Sequence, residues 1–112
     1  METWAKELPM IAITIIDTEG KILDMNDRAA WTNQKWGGME LIGKDVYKCH
    51  PPKAQEIIHH IMNSKEVNVY SIEKEGLNKL IYQTPWYNNG ELGGLVELSL
   101  TLPEHIEHKI RK

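Results

Sequence analysis

The chain contains one cysteine, Cys49. That excludes an internal disulfide and a zinc site built on cysteines. Basic residues form no cluster: 13 Lys and Arg are scattered among 16 Asp and Glu, for a net charge of -3. The electrostatic footprint of a nucleic-acid binder is therefore missing. No apolar run approaches the ~20 residues that span a bilayer. Pro9 to Ile16 is apolar but short, and Glu2, Lys6 and Glu7 precede it. It lacks the basic start and the cleavage site of a signal peptide. The cytoplasm is the expected compartment, and a piece of a larger chain would take that chain's location. Catalytic patterns are missing too. Ser64, Ser71 and Ser99 lie in no nucleophile–base arrangement, and Gly37-Gly38 and Gly93-Gly94 lack the companions of a phosphate loop. Enzyme activity is not expected.

What is present suits one domain, since 112 residues can bury a core without staples. The chain is organised around the stretch from Glu40 to Met62. A turn-rich connector leads through Cys49-His50-Pro51-Pro52 into a helix whose apolar residues are Ala54, Ile57, Ile58, Ile61 and Met62. These fall on a single stripe at helical spacing, so the helix must lie against something apolar. The prolines suit its first turn.

Before it, Ile11 to Ile16 is β-branched and nearly all apolar, which predicts a strand buried on both faces. Asp17 to Gly20 is a turn, and Lys21 to Met25 returns as a second strand. Asn26 caps a helical segment reaching Lys35, and Gly37-Gly38 ends it. After the long helix, Val67 to Lys74, Leu77 to Tyr87 and Glu91 to Leu100 read as three strands. Pro85 asks for an edge or bulge, and Asn88-Asn89-Gly90 is a hairpin signal. In the last strand Val96, Leu98 and Leu100 alternate with Glu97 and Ser99, so one face is dry and the other wetter. The expected fold is α+β, with a five-stranded antiparallel sheet and helices on one face, in the order β-β-α-α-α-β-β-β. Residues 1–9 read as a flanking segment, 10–102 as the domain and 103–112 as a helical tail.

Four pieces in that order resemble a PAS domain. Ile15-Ile16-Asp17-Thr18-Glu19-Gly20-Lys21-Ile22 looks like its opening hairpin, and Asn26-Asp27-Arg28-Ala29-Ala30 like its Asn-x-x-Ala element. Glu40-Leu41-Ile42-Gly43-Lys44 is similar to its connector, and Pro85 through Val96 to its last hairpin. The Cys-His-Pro-Pro run resembles a bacterial subgroup. The chain departs from the family at Thr101-Leu102-Pro103, where Asp-Ile-Thr is frequent.

The resemblance implies a sensory or interaction module, with a small ligand held between sheet and helices or a second copy paired at the flanks. Pocket candidates are Trp31, Trp36, Ile42, Cys49, Ile57, Ile61, Tyr70, Tyr82 and Thr84, with ordinary core filling as the alternative for the tryptophans. Cys49 beside His50 is the redox candidate, because a thiol near a histidine and a helix N-terminus can lose its proton more readily. Trp4 and Leu8, at helical spacing, are candidates for a homodimer interface. Haem-binding members carry an axial histidine on the long helix, where His59 and His60 stand. At ~100° per residue both lie about 130° from the centre of the apolar stripe, so both should face solvent. The flavin-adduct motif, an Asn-Cys-Arg-Phe-Leu-like run, is not matched by Lys-Cys-His-Pro-Pro. His105 and His108 read as solvated. The cofactor is therefore left open, with haem and flavin not favoured. The expected partners are a second copy, an output domain or regulator and an unknown small molecule. Neither nucleic acid nor membrane is expected. Three functional readings remain: a ligand or redox sensor, a haem or metal sensor, and a ligand-free dimerisation domain.

Overall fold

The computed structural model describes residues 1–46 and 52–112. Strands β1 (Ile11–Asp17), β2 (Ile22–Met25), β3 (Asn68–Lys74), β4 (Leu77–Asn88) and β5 (Glu91–Thr101) form a sheet in the order β2-β1-β5-β4-β3. Every neighbouring pair is antiparallel. Helices α1 (Thr3–Lys6), α2 (Asp27–Thr32) and α3 (Pro52–Ser64) are joined by 3₁₀ turns at Gln34–Trp36 and Gly38–Leu41. The result is an α+β PAS fold, as the order of elements predicts.

Local chemistry explains the elements. Asn89 and Gly90 both take positive φ, which a two-residue hairpin between β4 and β5 requires. Pro85 stands where β4 has outrun β3, whose pairing begins at Asn68↔Gln83, so its missing N–H leaves no ladder bond broken on that side. Asn26 is fully buried and uses all of its side-chain capacity. Its Oδ1 accepts from Ala29 N at 3.0 Å, capping α2, and from Ile13 N at 2.9 Å. Its Nδ2 donates to the carbonyls of Ala5 at 3.1 Å and Ile11 at 2.8 Å. One side chain thus joins α1, β1 and α2.

The core lies between the sheet and α3. Ile58, Ile61 and Met62 of α3 meet Ala12 and Ile16 of β1, Ile22 and Met25 of β2, and Leu95 of β5. Burying a side chain such as Ile61 contributes about 1.5–3 kcal/mol. The connector completes this layer and closes one side of the sheet. Gly43 N donates to Ile22 O, Ile22 N to Lys44 O and Val46 N to Gly20 O, so the outer backbone of β2 is occupied.

Three expectations are corrected. β1 is an interior strand of the sheet, but only Ala12 and Ile16 are fully buried, while Ile11, Ile13 and Ile15 are half-buried on the face away from the core. The helix expected to reach Lys35 ends at Thr32 and tightens into 3₁₀ turns, where Asn33 takes over the last carbonyls. Residues 102–112 form no helix. Ile106 and Ile110 are exposed, so the segment has no packed face to offset the cost of helix nucleation.

Candidate functional site

Pairing registers align one residue from each strand in a single rung across the sheet. Asn68 of β3 stands opposite Gln83 of β4, Gln83 opposite Glu97 of β5, Glu97 opposite Thr14 of β1, and Thr14 opposite Met25 of β2. Residues that face one another across a sheet share a face. Here that is the core face, because Gln83 alternates with buried Ile81 and Pro85. The rung is hydrogen-bonded along part of its length. Asn68 Nδ2 donates to Gln83 Oε1 at 2.9 Å, and Gln83 Nε2 donates to Glu97 Oε1 at 2.8 Å. A carboxylate is thereby held in a mostly apolar layer, with Oε1 engaged and no bond of Oε2 recorded among the described residues.

Two cavities meet at this rung, and Thr14 and Glu97 line both. One, of about 150 Å³, lies under α3 between Ile57, Ile58 and the sheet residues Tyr70, Gln83 and Leu95. The other, of about 200 Å³, lies under the 3₁₀ turns, bordered by Met25, Asn33, Trp36 and Leu41. Tyr70 closes the first. Its hydroxyl pKa is raised above the ordinary value, first by burial and second by the negative charge of Glu97. An apolar chamber with a few convergent polar groups is the usual form of a small-molecule site.

The sequence-derived candidates fall into separate places. Ile57, Tyr70 and Trp36 border the paired cavities. Ile61 is buried in the core and faces an open groove between α3 and the start of β3. Tyr82 and Thr84 lie one residue out of phase with Ile81 and Gln83, so they occupy the opposite face of the sheet. Ile42 lies at the surface, and Trp31, 54% exposed, stacks under the Arg28 guanidinium at 4.3 Å, away from α3's cavity. Trp36 is 58% exposed, with Lys35 Nζ over its ring at 5.1 Å. Trp4 is exposed and Leu8 half-buried. Cys49 and His50 lie outside the described residues.

Neither histidine of α3 enters the paired cavities. His59 and His60 are both exposed, and His60 borders the open groove. The paired cavities, of about 150 and 200 Å³, are each smaller than a porphyrin, and the groove that His60 borders, of about 430 Å³, is open to solvent. Among the described residues no group of three His, Cys, Asp or Glu could hold a metal ion. No helix among them is long and apolar enough to cross a membrane.

Thr14, Asn68, Gln83 and Glu97 were not singled out by sequence reasoning. The signal was there in phase: Gln83 follows Ile81 by two residues, so a buried Ile81 carries Gln83 inward. What the alternation could not say was which face of the sheet receives the helices.

No curated protein sequence matches the chain. Solved structures do. A C-terminal domain from Streptococcus mutans is 17% identical with a TM-score of 0.70, covering 88% of this chain and 79% of that one. A sensory box sensor histidine kinase from Vibrio cholerae is 13% identical with a TM-score of 0.62, covering 83% and 82%. The Aer2 receptor of Vibrio cholerae, a dual PAS-heme oxygen sensor, is 19% identical with a TM-score of 0.62, covering 83% and 95%. These likenesses concern the fold. Residues 7–64, just over half the chain, match the PAS fold family, and the chain belongs to that family.

Proposed function

We propose that this PAS domain is a non-catalytic sensory module whose ligand is a small molecule presenting an N–H donor or a cationic centre to Glu97. The observation that carries this reading is the half-buried carboxylate on the rung: Glu97 lines both paired cavities, and Gln83 holds one of its two oxygens. A carboxylate in a mostly apolar layer is costly unless it is compensated, and a donor-bearing ligand supplies that compensation. Thr14 and Tyr70 add hydroxyls at the same site. Binding would favour one packing of α3 over the sheet and pass that preference to an output domain or regulator. Similarity to a histidine kinase and a receptor supports such a role, and the cytoplasm suits it.

Native mass spectrometry of freshly purified protein tests the proposal. A bound small molecule should be seen on the unaltered protein and lost from Glu97→Gln. An unliganded protein whose melting temperature no small amine raises would rule it out.

A second reading is favoured by the far face of the sheet. Ile13, Ile15, Tyr82, Val96, Leu98 and Leu100 form a broad half-buried apolar surface outside the core cluster. We infer that it pairs with a second copy, with Trp4 and Leu8 at its flank. Sedimentation should show a dimer that dissociates on Leu98→Glu, and a strict monomer at high concentration would remove this reading.

A further inference from the structure

A hollow of about 180 Å³ lies between α2 and the β3–β4 hairpin, and it shares no residue with the cavities at the rung. Four charged residues line it: Arg28 from α2, Lys74 at the end of β3, Glu75 in the turn and Lys79 on β4. Lys79 is the unusual one. It follows the inward phase of Ile81 and Gln83 and is 8% exposed, yet among the described residues no hydrogen bond or ion pair engages its ammonium. Burial of an ammonium without a counter-charge is costly. Three cations around one carboxylate leave an excess of two positive charges in a chain whose net charge is -3. None of the four takes part in a recorded salt bridge among the described residues.

We propose that this hollow binds a small phosphate-type dianion, with Lys79 as its buried anchor and Arg28 and Lys74 closing over it. Two negative charges match the local excess. The guanidinium of Arg28, held over the Trp31 ring at 4.3 Å, offers paired N–H donors to two oxygens of a tetrahedral anion. Lys74 and Lys79 supply point charges from the opposite wall. The size, about 180 Å³, admits inorganic phosphate or a phosphate monoester with a short substituent.

Isothermal titration of the unaltered protein with inorganic phosphate, and separately with methyl phosphate, tests this at fixed ionic strength held with chloride. Saturable one-to-one binding of either is expected; methyl phosphate alone identifies an ester as the ligand. Lys79→Met keeps the buried stem and removes the charge, and Arg28→Gln removes the fork. Each should weaken binding by about tenfold or more, while exposed Lys44→Gln leaves it unchanged. In phosphate-free buffer Lys79→Met should melt a few degrees higher than the unaltered protein, showing that it folds, and added phosphate should not raise it further. Absence of saturable binding to the unaltered protein at millimolar phosphate, or equal binding by Lys79→Met, would overturn the assignment.

Discussion

The indole Nε1 of Trp86, on β4, donates to the carbonyl oxygen of Ile16, on β1, at 2.9 Å, although β5 runs between the two strands. The ring reaches across because β5 has no side chain beneath it: a Cβ on Gly93 would collide with the six-membered ring of Trp86. Gly94 is more constrained, since a Cβ there would meet the Ile16 carbonyl and the Asp17 backbone, and its φ is +148°. Gly93→Ala should cost about 1–3 kcal/mol, as overpacking does, because the ring can shift. Gly94→Ala should cost more, because backbone cannot. Urea denaturation midpoints check the ranking, and equal midpoints would contradict it.

Asn26 offers a second test. Its replacement by Ala leaves the buried backbone groups of Ala5 and Ala29, and the part-buried ones of Ile11 and Ile13, without their side-chain partner. At about 1–3 kcal/mol per orphaned buried group, and with partial relaxation, the loss should exceed about 3 kcal/mol. Thermal unfolding measures it. A loss under about 1 kcal/mol would mean that water replaces the amide freely.

Two of the three isoleucines on α3's stripe should differ. Ile61 is 1% exposed and Ile57 is 39% exposed. Ile61→Ala should lose about 2–5 kcal/mol. Ile57→Ala should lose far less, because its side chain borders a cavity and solvent rather than the packed core. Comparable losses would place α3's buried line elsewhere.

Tyr70 makes stability depend on alkaline pH. Its hydroxyl pKa is raised above 10.0 in the folded state, by burial first and Glu97 second. Between the unfolded and folded values the unfolded chain has released this proton and the folded chain has not. The Tyr70 contribution is therefore fully present below pH 10 and declines as pH rises through that window. Tyr70→Phe should flatten this part of the decline, and Glu97→Gln should reduce it. Denaturation midpoints measured on either side of pH 10 decide the matter, and identical slopes for the unaltered protein and Tyr70→Phe would refute it.

The elements were legible because each has a local cause. The Asn89-Gly90 turn follows from φ preference, the Asn26 cap from its short polar side chain, and the α3 stripe from 3.6-residue periodicity. The site was harder to read because both faces of the sheet are apolar. The run Val96, Leu98, Leu100 is drier than Leu95, Glu97, Ser99, but alternation alone does not say which of the two faces meets the helices. The helices cover the wetter side, where Glu97 bonds to Gln83. Lys79 was hidden for the same reason, since only strand phase and the position of α2 reveal that it is buried.

The two borders of the sheet are not alike. β2's outer backbone is already engaged by the connector at residues 43–46, whereas β3 exposes a seven-residue margin with no partner strand among the described residues. An incoming extended segment therefore finds a docking rail on one side only. Copies of this chain cannot extend one continuous sheet from border to border, and strand addition between copies would stop at a symmetric β3-to-β3 pair.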